Sequence, residues 1–253
     1  MNDKDLINDI VGWIKEYCEH NSIKSIVIGV SGGIDSALTS TLSAMTGLET
    51  YLVSMPIHQN KTQLSRARNH ISWLSDKFDN VNFIEKDLTP IFESLVSALS
   101  KGEQSELSLA NSRARLRMTM LYQLASIYSG IVVGTGNKVE DFGVGFYTKY
   151  GDGGVDISPI ADLNKTEVRQ LAKHLSIDSE IVNASPTDGL WEDGRTDEEQ
   201  LGASYEELEW AMDSPHHEGD RTSRQKKVME IYNNHHNQNK HKMIPIPIFK
   251  VER

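Results

Sequence analysis

Short apolar runs recur along the chain, and each is followed by a stretch with helical periodicity. Ile26-Val27-Ile28 and Ile131-Val132-Val133 are unbroken apolar runs, the pattern of strands buried on both faces. Strands are predicted near 25–30, 50–54, 81–85 and 131–134. Helices are predicted near 4–19, 36–46, 62–78, 90–100, 108–129, 165–175, 204–213 and 221–238. In the first of these Ile7, Ile10, Val11, Ile14 and Cys18 fall on one face, which predicts a buried core thiol rather than a nucleophile. Strand alternating with helix predicts an α/β fold: an open, Rossmann-like parallel sheet with helices on both faces. No repeat or linker interrupts the alternation, so a single domain over residues 1–253 is expected.

Two stretches break the pattern. Gly134 to Asp162 is rich in glycine, and Ser185 to Gly202 carries Pro186, three glycines and a cluster of acids. Connections this long within a compact domain usually cover or form a site.

The charge balance narrows the function. With 26 basic and 36 acidic residues the net charge is −10, which argues against broad binding of nucleic acid. A single cysteine excludes an intrachain disulfide and a cysteine-based metal cluster. No apolar run is long enough to span a bilayer, and MNDKDLINDI lacks signal-peptide architecture, so a soluble cytoplasmic protein is expected.

The most informative segment is GVSGGIDSALTS, Gly29 to Ser40, placed between the first strand and the helix after it. Gly32 and Gly33 allow positive φ and close approach of backbone N–H groups to an anion, and the following helix adds its own unsatisfied donors. Ser31 and Ser36 can donate hydroxyl hydrogen bonds to the same oxygens. Asp35 would repel phosphate unless a magnesium ion lay between them; the plainer alternative is a Gly-Gly turn with Asp35 capping the helix. The G-x-x-x-x-G-K-[ST] pattern of kinases and GTPases is missing.

SGGIDS resembles the pyrophosphate-binding loop of the ATP pyrophosphatases. Further segments narrow the resemblance: NSRARLRM (111–118), GTGNKVE (134–140), FYTKYGDGGVDISPIADLNK (146–165), SPTDGLWEDGRTDEEQLG (185–202) and the pair His241-Lys242. In this order, over nearly the whole chain, they are similar to the ammonia-dependent NAD synthetases. The resemblance implies ATP-dependent amidation of deamido-NAD by ammonia, with Mg2+ as cofactor, in a homodimer; amphipathic helices such as 108–129 would allow the dimer. With one cysteine and no extra region, free ammonia is the expected nitrogen source. Nicotinic acid mononucleotide as the acceptor and a non-catalytic ATP sensor are the alternatives.

It also implies residue roles. Gly29, Val30, Ser31, Gly32, Gly33, Ile34, Asp35 and Ser36 would bind ATP with Thr135, Lys165 and Thr187. Asp35 and Glu140 would be the metal ligands. Arg115, Lys149, Asp156, His241 and Lys242 would hold deamido-NAD, and Asp152 would position or deprotonate ammonia. Asp152 and Lys165 are thus the expected catalytic pair, although Asn164 and Glu167 also make a helix-start capping pair around Lys165.

Each segment has a plainer side. Arg113, Arg115 and Arg117 are spaced two apart and cannot share one helix face. Between Glu140 and Lys149 the chain has one residue more than the family pattern. The pairs His216-His217 and His235-His236 have no acidic or cysteine partner at metal spacing and read as surface residues.

Overall fold

A computed structural model describes residues 2–187, 189, 195–213 and 220–251. Four parallel strands, β1 (Ser25–Gly29), β2 (Glu49–Ser54), β3 (Val81–Glu85) and β4 (Gly130–Val132), form one sheet in the order β3-β2-β1-β4. Register runs Ile26 to Thr50 and Ile26 to Ile131 on either side of β1. The chain thus builds outward from β1 to β3 and then returns to β1's other side. The carboxyl ends of β1 and β4 therefore flank the point where strand order reverses, the place where open α/β sheets bind ligands.

Side-chain alternation along the strands feeds two cores. Ile26 and Ile28 of β1, Leu52 of β2 and Ile131 of β4 meet α1 (Asp3–His20), α2 (Ile34–Met45), α3 (Lys61–Lys77), α6 (Lys165–His174) and α7 (Ser179–Val182). On the other face Val27, Val53 and Val132 meet α4 (Thr89–Ser97) and α5 (Glu106–Ile127). The sheet with helices on both faces is the expected fold. A third cluster joins α8 (Asp197–Leu201), α9 (Tyr205–Asp213) and α10 (Ser223–Met243) to Val139 and Val144. No helix among the described residues is long and apolar enough to cross a membrane.

Three details depart from expectation. Val139–Val144 is a π-helical turn, closed by Gly145 at φ 65°. This π turn carries Glu140 and ends before Lys149. The 108–129 helix is not amphipathic: Ala110, Ala114, Leu124 and Ala125 are buried, whereas Leu107 and Ile127 are exposed. Leu109, Leu116, Met120, Leu121 and Leu124 belong to the second core, while Leu107 and Ile127 near the helix ends are apolar but exposed. Finally, α10 continues to Met243, past the expected end near residue 238, so His241 and Lys242 belong to its last turn.

Candidate active site

β1 ends at Gly29, and the loop Val30–Gly33 leads into α2. Gly32 adopts φ 86°, and a Cβ there would lie 2.4 Å from the Gln63 carbonyl of α3, so no other residue fits. Gly33 is the N-cap of α2 and offers no side chain, which leaves the first-turn N–H groups free to meet a ligand. The serine hydroxyls serve the loop itself. Ser36 Oγ donates to the Gly33 carbonyl at 2.9 Å and accepts from the Ser31 N–H at 3.2 Å, and the Gly33 N–H donates to Ser31 Oγ.

Beside this loop lies a buried charge cluster. Lys165, the first residue of α6, is only 2% exposed, and its Nζ lies 2.5 Å from Asp35 Oδ2 and 3.0 Å from Glu140 Oε1. Asn137 Nδ2 donates to Asp35 Oδ1 at 3.1 Å, while its Oδ1 accepts the N–H groups of Val139 and Glu140, tying β4's turn to α2. Tyr205 donates its hydroxyl to Glu140 at 2.6 Å. Burial works against the Lys165 charge, but Asp35 and Glu140 outweigh it and hold the ammonium protonated well above its ordinary range. Burial pushes the Asp35 carboxyl up, offset only in part by Lys165. Glu140 is also desolvated, yet Lys165, Tyr205 and Asn137 bring it below the usual value.

Asp35 and Glu140 are hard oxygen donors, the donor chemistry magnesium takes, and both lie against the Lys165 ammonium. Among the described residues no group of three His, Cys, Asp or Glu side chains gathers at metal-binding geometry, so the chain offers two carboxylates there and a ligand would complete the shell. The His235 Nε2–H and His236 Nδ1–H donate to the Leu201 and Gly143 carbonyls. His216-His217 lies outside the described residues.

A cleft of about 280 Å³ joins these parts. Its lining includes Ser31, Asp35, Thr135, Asp152, Lys165 and Thr187, contributed by widely separated segments. Thr187 accepts the Gly189 N–H and donates to the Arg195 carbonyl. Asp152 takes the Thr148 N–H at 2.9 Å, and burial raises its carboxyl above the usual range. Asp141, which sequence reasoning missed, also lines the cleft; burial, then the Glu140, Asp152 and Asp35 charges, push it up to about 8. A Cβ on Gly136 would fall within 2.2 Å of Asp141 Oδ1, so the GTG turn needs glycine there to admit this carboxyl. Its position beside Glu140 was the available signal.

The residues expected to hold the dinucleotide do not line the cleft itself. Four gather around the segment 145–149. Lys242 Nζ donates to the Gly145 and Tyr147 carbonyls, both at 2.8 Å, and Lys149 Nζ donates to the His241 carbonyl at 2.9 Å. Arg115 reaches the Lys149 carbonyl at 3.3 Å. Asp156 instead accepts the Val132 N–H at 2.8 Å and the Tyr122 hydroxyl at 3.0 Å, closing the outer edge of β4. The three arginines of α5 diverge as their spacing demands: Arg113 lies over Phe92, Arg115 is exposed, and Arg117 enters the cleft to bond Met55 and Gln59.

A glycine loop opening onto a helix N-terminus at the sheet's reversal point defines a nucleotide-binding α/β protein. The chain belongs to the NAD synthase family, whose sequence model matches residues 6–245. It is 36% identical over 216 residues to the NH(3)-dependent NAD(+) synthetase of Carboxydothermus hydrogenoformans, covering 83% of this chain and 85% of that one. The enzyme of that name from Saccharolobus solfataricus is 41% identical over 207 residues, 80% of this chain and 70% of the relative. Among solved structures, the NMN synthetase from Francisella tularensis superposes with a TM-score of 0.89 at 30% identity, over 99% of this chain and all of that one. The NH3-dependent NAD synthetase from Campylobacter jejuni, at 23% identity and a TM-score of 0.80, shares the fold.

Proposed function

We propose that this chain is a carbon–nitrogen ligase that amidates deamido-NAD with ammonia, using ATP and releasing AMP and pyrophosphate. The observation that carries the reading is one cleft lined by the Ser31–Ser36 loop, the Lys165 cluster and Asp152. The family supports the same reaction.

A carboxylate resists nucleophiles because it is already negative, so it needs activation. Its oxygen attacks the α-phosphorus of ATP, the bond to the β-phosphate oxygen breaks, and pyrophosphate leaves with the electron pair. Ammonia then adds to the acyl-adenylate and AMP leaves. The loop N–H groups and the α2 N-terminus stabilise charge on the leaving group. Lys165 keeps a full positive charge beside them. Asp35 and Glu140 would hold a magnesium ion together with ATP oxygens, and such an ion neutralises phosphate charge when bound.

Asp152 holds ammonia or takes the proton from ammonium; its buried carboxyl, raised above the ordinary range, is better matched to that task than an exposed aspartate. Arg115, Lys149, Asp156, His241 and Lys242 orient the acceptor or the segment that meets it, which supplies proximity rather than chemistry. Thr135 and Thr187 sit in the cleft where they can meet the nucleotide.

A second reading keeps the chemistry and changes the acceptor to nicotinic acid mononucleotide. It is favoured by the 0.89 superposition on the Francisella tularensis protein, an NMN synthetase by name. We further infer a homodimer of single-domain chains working in the cytoplasm. Its support is the exposed Leu107 and Ile127 of α5 and the exposed Ile246, Ile248 and Phe249 beyond α10.

Pyrophosphate release with ATP, magnesium and ammonium distinguishes the readings. Preference for deamido-NAD with NAD as product upholds the first, and preference for the mononucleotide upholds the second. Release with neither acceptor rejects both.

A further inference from the structure

We propose that Arg66 is a further phosphate-binding residue of this cleft, taking the pyrophosphate end of ATP. The inference rests on the adenylation chemistry proposed above. Arg66 lies on α3 and lines the cleft together with Ser31, Gly33 and Ser36. Its stem is set against the glycine loop: a Cβ on Gly32 would meet the Arg66 Cβ at 3.4 Å and the Ala67 N–H at 3.1 Å. The side chain therefore departs from the wall that the loop packs upon.

Its hydrogen-bonding state points to a ligand. The Arg66 Nε–H is buried without an acceptor, and among the described residues Arg66 makes no hydrogen bond or ion pair. A buried donor left unmade is costly, so a site that keeps one is waiting for an oxygen. The guanidinium fork matches phosphate oxygens in a bidentate way that an ammonium does not.

The charge inventory of the cleft favours the same assignment. Lys165 is already committed to Asp35 and Glu140, and Arg117 to Met55 and Gln59. Asp141 and Asp152 add acidic groups to the same cleft. A polyphosphate entering here meets carboxylates on the Lys165 side, and Arg66 supplies positive charge from the α3 side. When the bond from the α-phosphorus to the bridging oxygen breaks, the electron pair stays with pyrophosphate, where this guanidinium stabilises it.

Calorimetric titration of wild type, Arg66→Met and Arg66→Lys with pyrophosphate, ATP and AMP, in magnesium at constant ionic strength, tests the assignment. Arg66→Met should bind pyrophosphate and ATP at least about tenfold more weakly, with AMP affinity unchanged within about twofold; Arg66→Lys should recover part of the loss. Unchanged pyrophosphate affinity in Arg66→Met, or an equal loss for AMP, overturns the role of Arg66. Wild type that binds neither ATP nor pyrophosphate overturns the adenylation reading itself, and Arg66 with it.

Discussion

Lys165 Nζ meets Asp35 Oδ2 at 2.5 Å although 130 residues separate them in the chain. The contact joins the first turn of α2 to the first turn of α6, and Glu140 of the π turn closes the cluster at 3.0 Å. Three charged groups are thus buried together, and only one of them is positive. The ammonium organises two carboxylates that would otherwise repel each other beside a phosphate loop.

Replacing Lys165 by methionine should leave Asp35 and Glu140 buried without their counter-charge. Removing one partner of a buried ion pair typically costs about 3–5 kcal/mol, so Lys165→Met should lose about 3 kcal/mol of stability. Denaturation in guanidinium chloride at pH 7.5 reads this directly. A variant as stable as wild type would mean that the carboxylates relax to water, and that the cluster does not hold α2 and α6 together.

The fold was legible where burial imposes a simple pattern. Ile26-Val27-Ile28 and Ile131-Val132-Val133 are apolar on consecutive residues because both faces of their strands are covered; β1 lies within its predicted range, whereas β4 starts one residue early at Gly130 and ends at Val132. Gly32-Gly33 announced a loop that backbone packing against Gln63 makes obligatory. Tyr205 was not legible: it reaches Glu140 from an element 65 residues away, and no spacing in the sequence records that. The end of α10 was hidden for another reason. Of its 21 residues only Val228 is buried, so NNHHNQNKHK has no apolar stripe to mark a helix. Asp156 has the chemistry of a ligand contact, but its carboxylate meets the Val132 N–H because β4 is an edge that needs a partner.

His70 should make stability depend on pH. Its ring is buried, stacks near Trp73 and lies 3.0 Å from Ser40 Oγ. Burial lowers its pKa from 6.5 to about 4, with the Ala37 hydrogen bond and the Asp178 charge opposing. Between those values the unfolded chain binds the proton and the folded chain does not, so stability rises with pH through this window. The contribution is complete above about 6.5 and is lost as pH falls towards 4. From pH 7.5 to 5.0, wild type should lose about 2 kcal/mol more than His70→Gln in urea denaturation. Parallel curves for the two proteins would show that His70 does not titrate as its burial requires.

Lys242 should act through the segment it holds. Its ammonium bridges the Gly145 and Tyr147 carbonyls, just before Thr148 presents its N–H to Asp152. Lys242→Met removes two charge-assisted hydrogen bonds, each worth about 1.5–3 kcal/mol when intact. The expected result is a lowered kcat and a raised KM for the acceptor, each by about tenfold, with ATP affinity nearly unchanged. A loss confined to ATP affinity would contradict this positioning role.

Asp152 offers the sharpest separation of steps. It is buried, takes the Thr148 N–H, and lines the same cleft as the phosphate loop, yet the charged partners of Lys165 are Asp35 and Glu140. Adenylation needs phosphate stabilisation, whereas amide formation needs a group to hold ammonia and accept its proton. Asp152→Asn keeps the shape and the acceptor oxygen for Thr148 but removes the negative charge. Isotope exchange between pyrophosphate and ATP, driven by the acceptor, reports adenylation alone; amide formation is followed by the appearance of NAD or of the amidated mononucleotide. The substitution should slow amide formation by about 100-fold and leave exchange within about threefold of wild type. Equal losses in both assays would assign Asp152 to holding the loop rather than to ammonia.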